Sequence, residues 1–223
     1  MIKIENADVY GFQHAIRGMR NAFRSWDKSD SQFLKSGYLV GDADMSLMKR
    51  LAKAGSDEAK YRRMIVVYAD ITAPLYWWKE YDTYKVGTVG LSESTMHSIA
   101  DKEFRSNDFS HEHLKTISRE LFEQVKTQLN NLRETFLKYD DLDVIRKDLL
   151  RQNGITSKKD IWWQMIQLLP SSYNQHRTVM LNYEVLANMY HARRNHKLDE
   201  WHEFCKWARE LPYSEIFTGE GQS

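Results

Sequence analysis

The sequence predicts an α+β fold: a small antiparallel sheet from the N-terminal third packs with a predominantly helical remainder that includes one long helix. Only 3 prolines and 10 glycines interrupt the 223 residues, which favours long helices over many short strands. Apolar residues recur at three- and four-residue spacing from residue 110 onward, as in amphipathic helices. Two runs rich in β-forming residues lie nearer the N-terminus. We interpret residues 1–223 as a single domain.

The N-terminal third alternates between β-forming runs and short amphipathic segments. Its predicted elements are a strand over residues 2–10, a helix over 14–23, a loop over 25–41, a helix over 44–54 and a strand over 62–71. Asp44 is the predicted N-cap of the helix that Gly55 ends. Another helix is expected to start near Pro74, with Thr72 as its cap.

The rest of the chain is predicted to be helical after one irregular segment. Residues 84–96 contain two glycines and many hydroxyl side chains, a composition typical of loops that build sites. The predicted helices span residues 111–139, 141–152, 158–169, 173–193 and 198–210. The first would be about 40 Å long. Ser157 and Asp160 mark the start of the 158–169 helix.

Composition excludes several classes of protein. The charged side chains are 32 basic and 31 acidic, so no strong positive field attracts a nucleic acid polymer. No apolar stretch is long enough for a membrane span, and no secretory signal pattern is present, so we expect a cytoplasmic protein. Cys205 alone cannot form a disulfide framework or a cysteine-rich zinc site, and we expect an inert core thiol. The histidines lack the spacing of a metal site, so no metal is expected.

Clustered arginines and paired tryptophans are the most suggestive side chains. Arg193 and Arg194 suit bidentate binding of a carboxylate or phosphate, although cations are also common at a helix C-terminus. Arg17 and Arg20 form a second basic patch that we expect to be exposed. Aromatic residues make up 13% of the chain, which suits a thick core, an oligomer interface or stacking on a planar ligand.

The segment from Asn182 to Arg193 resembles the substrate-binding helix of flavin-dependent thymidylate synthases. That family has an asparagine, a leucine four residues later, a second asparagine and then an arginine, followed by Gln-Trp. Here the same spacing is kept by Asn182, Leu186, Asn188 and Arg193. Glu200-Trp201 stands where the family has Gln-Trp, and Leu169-Pro170 matches the step before the helix.

A second block, residues 73–96, resembles the family's signature region with substitutions. Ala73-Pro74 match, and Glu80-Tyr81 occupy the place of a Gln-Trp pair. Thr83-Tyr84-Lys85 stand where the family has Arg-His-Arg, and Ile166 replaces a further arginine. The sequence therefore resembles a divergent member of this family that lacks the Arg-His-Arg signature.

The resemblance implies a homotetramer that binds FAD and deoxyuridylate and uses reduced folate and NADPH. The implied catalytic residue is Arg193, which would contact the pyrimidine. The implied cofactor-binding residues are Asn182, Asn188, Tyr84 and Lys85, and the implied substrate-binding residues are Glu80, Ser92, Glu93 and Arg194. Adjacent helix positions lie about 100° apart, so only one of the two arginines can face the site fully. Spacing from the asparagines favours Arg193 and spacing back from Trp201 favours Arg194, and we predict that Arg193 faces the site.

Two classes of function follow from these patterns. The leading hypothesis is a flavin-linked nucleotide enzyme resembling thymidylate synthase. The alternative is a non-catalytic homo-oligomer that binds a nucleotide or related ligand on the same fold, because fold does not fix function. A structural oligomer without a ligand is a third hypothesis, which the polar segment 84–96 makes less attractive.

Overall fold

A computed structural model describes residues 1–35 and 37–219 and confirms the α+β class. The strands are β1 (Lys3–Tyr10), β2 (Gln32–Leu34), β3 (Gly37–Leu39), β4 (Val66–Pro74), β5 (Thr88–Ser92) and β6 (Asn174–Asn182). The helices are α1 (Phe12–Met19), α2 (Asp42–Ala54), α3 (Leu75–Tyr81), α4 (Thr95–Ser98), α5 (Thr116–Lys138), α6 (Val144–Gln152), α7 (Lys158–Leu168), α8 (Tyr183–Arg193), α9 (Asp199–Glu210) and α10 (Glu215–Thr218). Short 3-10 helices cover Asn21–Phe23, Trp26–Lys28, Ala59–Met64, Ser106–Asp108 and Tyr139–Asp141.

The main sheet has four strands in the order β1-β4-β6-β5. β1 runs antiparallel to β4, with Lys3 opposite Thr72 and Tyr10 opposite Val66. The helix predicted over 173–193 is wrong in its first half, because β6 occupies 174–182 and α8 begins only at Tyr183. The sheet therefore takes a strand from the C-terminal third as well as from the N-terminal third.

By internal contacts the chain divides into two compact units, each with its own core. The α5 unit comprises Met1, Ala73–Trp78 and Ser92–His176, and the α8 unit comprises Ile2–Thr72, Lys79–Leu91 and Arg177–Ser223.

The core of the α5 unit forms where α5 packs on α7. Its fully buried members include Leu129 of α5 and both Ile161 and Met165 of α7. Trp77 and Trp78 are also fully buried, whereas Trp163 is 42% exposed. α5 begins five residues later than predicted, and its 23 residues span about 35 Å.

The predicted start of α7 is confirmed by a capping box. The Ser157 hydroxyl accepts a hydrogen bond from the Asp160 amide at 3.2 Å, and the Asp160 carboxylate accepts one from the Ser157 amide at 2.8 Å. Two orphan amides at the helix start are thereby satisfied by nearby side chains.

In the α8 unit, a buried ion pair corrects two predictions. Arg20 is 5% exposed, not a solvent-facing cation, and its Nε donates to Asp44 Oδ1 at 2.6 Å. Asp44 is not the N-cap of α2, because the helix already begins at Asp42 after Gly41. Asp30 supplies the missing acceptor, since its carboxylate accepts from the amides of Ala43 and Asp44.

Asp44 also organises much of the segment predicted as a loop over 25–41. Its Oδ2 accepts from the hydroxyls of Ser29 and Ser31, each at 2.6 Å. The segment is more regular than predicted, since it contains a 3-10 turn and the β2–β3 hairpin. Ser36, within this predicted loop, lies outside the described residues.

Several predicted boundaries shift around the remaining elements. Thr72 is a β4 residue and not a helix cap, because β4 continues to Pro74 before α3 begins. The predicted strand over 62–71 begins at Val66, after a 3-10 turn. The irregular segment 84–96 includes β5 and the start of α4. No helix in the described part of the chain is both long and apolar enough to cross a bilayer.

Candidate functional site

Glu80 is the centre of a polar cluster in the α8 unit. Its Oε2 accepts hydrogen bonds from Arg193 Nη1 at 2.9 Å and from the Trp201 indole nitrogen at 3.0 Å. His196 Nε2 lies 3.3 Å from the same oxygen. One carboxylate oxygen thus joins the last turn of α3 to the end of α8 and the start of α9.

The turn after α3 brings Tyr84 into this cluster. The Thr83 hydroxyl donates to the carbonyl of Glu80 at 2.7 Å, and the Tyr84 amide donates to the carbonyl of Tyr81 at 3.0 Å. The chain therefore folds back as soon as the helix ends. This places the Tyr84 hydroxyl 3.0 Å from Arg193 Nε, which donates to it.

The connection between α8 and α9 fixes the tautomer of His196. The amide of Leu198 donates to His196 Nδ1 at 3.2 Å, so Nδ1 acts as an acceptor. The ring hydrogen is therefore assigned to Nε2, which lies 3.3 Å from Glu80 Oε2. His196 is thus a close polar neighbour of this carboxylate oxygen.

Two adjacent aromatic rings lie against the Arg193 guanidinium. Its Cζ lies 5.1 Å from the centre of the Trp201 ring and 5.6 Å from that of Tyr84. The two rings are 6.2 Å apart and inclined by 65°. Distances of this size allow cation–π attraction, and Trp201 is fully buried, so Arg193 is held in a defined position.

The cluster leaves two hydrogen-bonding atoms without a partner among the described residues. Arg193 Nη2 donates to none of them, and Glu80 Oε1 accepts from none. The Arg193 side chain is 20% exposed and that of Glu80 is 33% exposed. A donor and an acceptor are thus available on neighbouring groups of a partly buried pair.

Asn182 and Asn188 differ in their surroundings. Asn182 is the N-cap of α8, and its Oδ1 accepts from the amide of Val185 at 3.0 Å. Gly87 has a positive φ of 82°, and a Cβ there would lie 2.6 Å from Asn182 Nδ2. Only glycine fits at position 87, because of this close approach and the positive φ. Asn188, in contrast to Asn182, is exposed on α8.

The remaining sequence-predicted residues lie outside the Glu80 cluster. Lys85 and Arg194 are exposed residues of the α8 unit. Ser92 and Glu93 belong to the α5 unit, where the Glu93 amide donates to the carbonyl of His176 at 3.0 Å. The structure therefore brings together Glu80, Tyr84 and Arg193 of the predicted set.

Sequence reasoning missed His196 as a member of the cluster. Its signal was weak, because a histidine in a basic run after a helix resembles many solvated helix ends. The described residues contain no group of three histidine, cysteine, aspartate or glutamate side chains placed to hold a metal ion.

Comparisons with known proteins bear on the fold. No protein-family model matches the sequence, and no curated protein sequence matches it significantly. Thymidylate synthase X from Helicobacter pylori with FAD and dUMP matches with a TM-score of 0.66 and 14% identity, over 99% of this chain and 98% of that one. A second structure of that enzyme, complexed with FAD and dUMP, gives 0.66 and 16% identity over 98% of each chain.

A third solved structure has a different described activity. The UMP/dUMP methylase PolB from Streptomyces cacaoi, bound with 5-Br UMP, matches with a TM-score of 0.56 and 14% identity. The match covers 98% of this chain and 94% of that one. At such identities the likeness establishes architecture, and it shows that this chain has the flavin-dependent thymidylate synthase fold.

Proposed function

We propose that this protein is a flavin-linked nucleotide enzyme that binds FAD and methylates a deoxyuridylate-like pyrimidine nucleotide. The observation that carries the proposal is the agreement of fold over nearly the whole chain with two structures of one enzyme solved in complex with FAD and dUMP. The PolB match supports the same class, since that protein is a UMP/dUMP methylase. The Glu80 cluster supplies a partly exposed arginine beside two aromatic rings, which suits a planar heterocycle.

The residues present fit a flavin or a pyrimidine in general terms. Arg193 Nη2 is an available donor beside the half-buried Tyr84 ring. Asn182 Nδ2 is a second donor. It lies so close to Gly87 that a side chain at position 87 would not fit. When bound, FAD would supply the reducing equivalents that turn a one-carbon unit from reduced folate into a methyl group, with NADPH as the reductant.

In this proposal the chain's own residues bind and orient the cofactor and the nucleotide. Arg193 contacts the pyrimidine and stabilises negative charge that develops on the base. The amides of Asn182 and Asn188, with Tyr84 and Lys85, hold the cofactor. Arg194 is proposed as a secondary contact to the nucleotide, and Glu80 accepts a hydrogen bond from Arg193.

The altered signature predicts weaker phosphate binding than in the family. Thr83 and Ile166 stand where arginines are expected, and Lys85 keeps the charge but not the planar fork. A hydrogen bond to a charged group contributes about 1.5–3 kcal/mol, so two losses weaken binding by about two to four decades.

Spectroscopy and calorimetry of the purified protein test the proposal. We expect flavin absorbance in the protein as purified, or after incubation with FAD, and a calorimetric binding signal for dUMP. A colourless protein that takes up no added FAD would exclude the flavin-linked function. Formation of methylated nucleotide from dUMP, reduced folate and NADPH would establish the reaction.

The second candidate is a non-catalytic homo-oligomer that binds a nucleotide or related ligand. It is favoured by one observation: the Arg193 charge is already neutralised by Glu80. This protein would bind a pyrimidine nucleotide while taking up no FAD and forming no methylated product. The same measurements therefore separate the two candidates.

A further inference from the structure

We propose that Glu80 is the specificity-determining residue of this site and that it selects, together with Arg193, the edge of a cyclic imide. Such an edge places a carbonyl oxygen beside an N–H. Arg193 Nη2 would donate to the carbonyl, and Glu80 Oε1 would accept from the N–H. The inference rests on the proposed function and names the part of the ligand that the cluster recognises.

The first step is the charge of the cluster. An isolated arginine beside aromatic rings would attract phosphate or carboxylate. Here Glu80 already supplies the carboxylate, 2.9 Å from Arg193 Nη1, and both side chains are partly buried. The pair has no net charge, so a second anion would meet the repulsion of Glu80. A neutral ligand edge is therefore favoured over an anionic one.

The second step is the hydrogen bonding of the two carboxylate oxygens of Glu80. Two donors converge on Glu80 Oε2, from Arg193 and Trp201, and His196 Nε2 lies 3.3 Å from the same oxygen. These contacts hold the carboxylate in one orientation and leave Oε1 as its remaining acceptor. Because Arg193 Nε is engaged by Tyr84, the guanidinium is equally fixed, with Nη2 remaining. The available donor and acceptor are thus both preorganised.

The third step is ligand chemistry. A cyclic imide carries an N–H between two carbonyls, so it presents the matching edge in either of two orientations. Uracil contains this group, and so does the pyrimidine ring of the flavin isoalloxazine. A site that hydrogen-bonds an N–H discriminates strongly against an analogue that lacks it, because the site's polar group is then left unpaired.

Methylated imides provide minimal probes without phosphate or ribose. Binding of 1-methyluracil and 1,3-dimethyluracil is compared by ligand-observed NMR titration of the full chain, and lumiflavin is compared with 3-methyllumiflavin. We expect methylation of the imide nitrogen to weaken binding at least about tenfold in one of the two pairs. The affected pair identifies whether uracil or flavin is the source of the imide.

The Glu80→Gln variant assigns that discrimination to Glu80. If the glutamine oxygen accepts from Arg193 and Trp201, its NH₂ group faces the imide N–H, and two donors oppose each other. We expect weaker binding of the unmethylated probe and a methylation penalty reduced to within about threefold. Glu203→Gln is the matched control, since Glu203 is an exposed α9 carboxylate of the same unit and should retain the full penalty. Thermal unfolding shows whether each variant is folded. If Glu80→Gln does not fold, the binding of methylated and unmethylated probes to the wild-type protein still tests the inference.

The outcomes separate this inference from the proposed function. Equal binding of methylated and unmethylated probes, or no binding of any imide, overturns the role of Glu80 even if FAD and dUMP bind. An unchanged penalty in a folded Glu80→Gln variant overturns it as well. A penalty that depends on Glu80 in a protein that takes up no FAD would support the inference while excluding the flavin-linked function.

Discussion

Arg193 and Arg194 are neighbours on α8, yet the structure gives them different surroundings. Arg193 pairs with Glu80 and Tyr84, whereas Arg194 is exposed at the C-cap. We predict that Arg193→Ala abolishes detectable binding of dUMP or FAD and lowers the free energy of unfolding by only about 1–2 kcal/mol, since the pair is partly solvated. Calorimetric titration and denaturant unfolding measure the two effects.

Arg194→Ala is the matched control for that substitution. We expect it to weaken binding far less than Arg193→Ala does, because it removes the same charge without disturbing the Glu80 cluster. Equal losses in the two variants, or a loss only in Arg194→Ala, would show that Arg194 is the binding residue.

The single cysteine is a buried residue of α9, as the sequence predicted. Burial raises the pKa of the Cys205 thiol to about 11, and the charge of Arg209 opposes this only in part. The reactive thiolate is therefore scarce at neutral and mildly alkaline pH. We predict that iodoacetamide leaves the native protein unmodified at about pH 8 and alkylates it after denaturation, as mass spectrometry would show. Rapid stoichiometric alkylation of the folded protein would contradict this.

The pairing of Arg20 with Asp44 could not be predicted from the residues next to either of them in the sequence. Both predictions used local rules, an exposed arginine on a helix face and an aspartate before an apolar run. The actual partner of each lies 24 residues away. Such pairing depends on the packing of α1 against α2, for which neither residue carries a local signal.

At the scale of elements, Asp44 joins α2 to the preceding segment. Burial alone would raise the pKa of its carboxyl, but hydrogen bonds from Ser29, Ser31 and Arg20 outweigh burial and hold that pKa below its usual value. We predict that Asp44→Asn lowers the free energy of unfolding by about 3 kcal/mol near neutral pH, because it leaves Arg20 buried without its counterion.

The sign of the pH dependence follows from the lowered pKa. The stabilisation is fully present above the unfolded-state pKa of about 4 and is lost as pH falls through the folded-state value. The difference between wild type and Asp44→Asn should therefore be constant from about pH 5 to 7 and shrink in acid. Asp42→Asn is the control, since Asp42 is exposed in the same helix turn and should cost about 0.5 kcal/mol. A difference that grows on acidification would contradict the prediction.

Elements with local start signals were predicted well from the sequence, and elements defined by distant pairing were not. Ser157 and Asp160 marked the start of α7 because both partners of that capping box lie within four residues. The apolar residues of β6 fitted a helical pattern equally well, and only its position in the sheet decides between the two. Asn182 was noted for its place in a family motif, but its action as the N-cap that separates β6 from α8 was overlooked.

For the whole molecule, the fold class and the family resemblance were both available from the sequence, and the homotetramer remains a prediction. Helix α6 has no buried residue, and Ile145 and Leu149 are 81% and 60% exposed. On α5, Ile117 and Leu121 are 85% and 61% exposed. Exposed apolar side chains at helical spacing are typical of surfaces that subunits cover. We predict a light-scattering mass four times that of the 26.5 kDa chain.

Charge introduced on α6 tests whether this surface takes part in assembly. Ile145→Lys with Leu149→Lys should reduce the observed mass, because a buried unpaired cation destabilises an interface. Gln152→Lys is the control, since it adds a charge to an exposed position of the same helix and should leave the mass unchanged. A monomeric mass for the unsubstituted protein at micromolar concentration would exclude the tetramer.

The Glu80 cluster also has a consequence for how the protein becomes functional during its synthesis. Glu80 and Arg193 are 113 residues apart along the chain, and Glu80 and Trp201 are 121 apart. Closing so long a loop is entropically costly and slow, and it must await the emergence of α8 and α9 from the ribosome. The nascent chain therefore acquires this site only after the elements from β1 to α8 have been made. Ligand recognition at Glu80 would then report that α8 and α9 have packed against the end of α3.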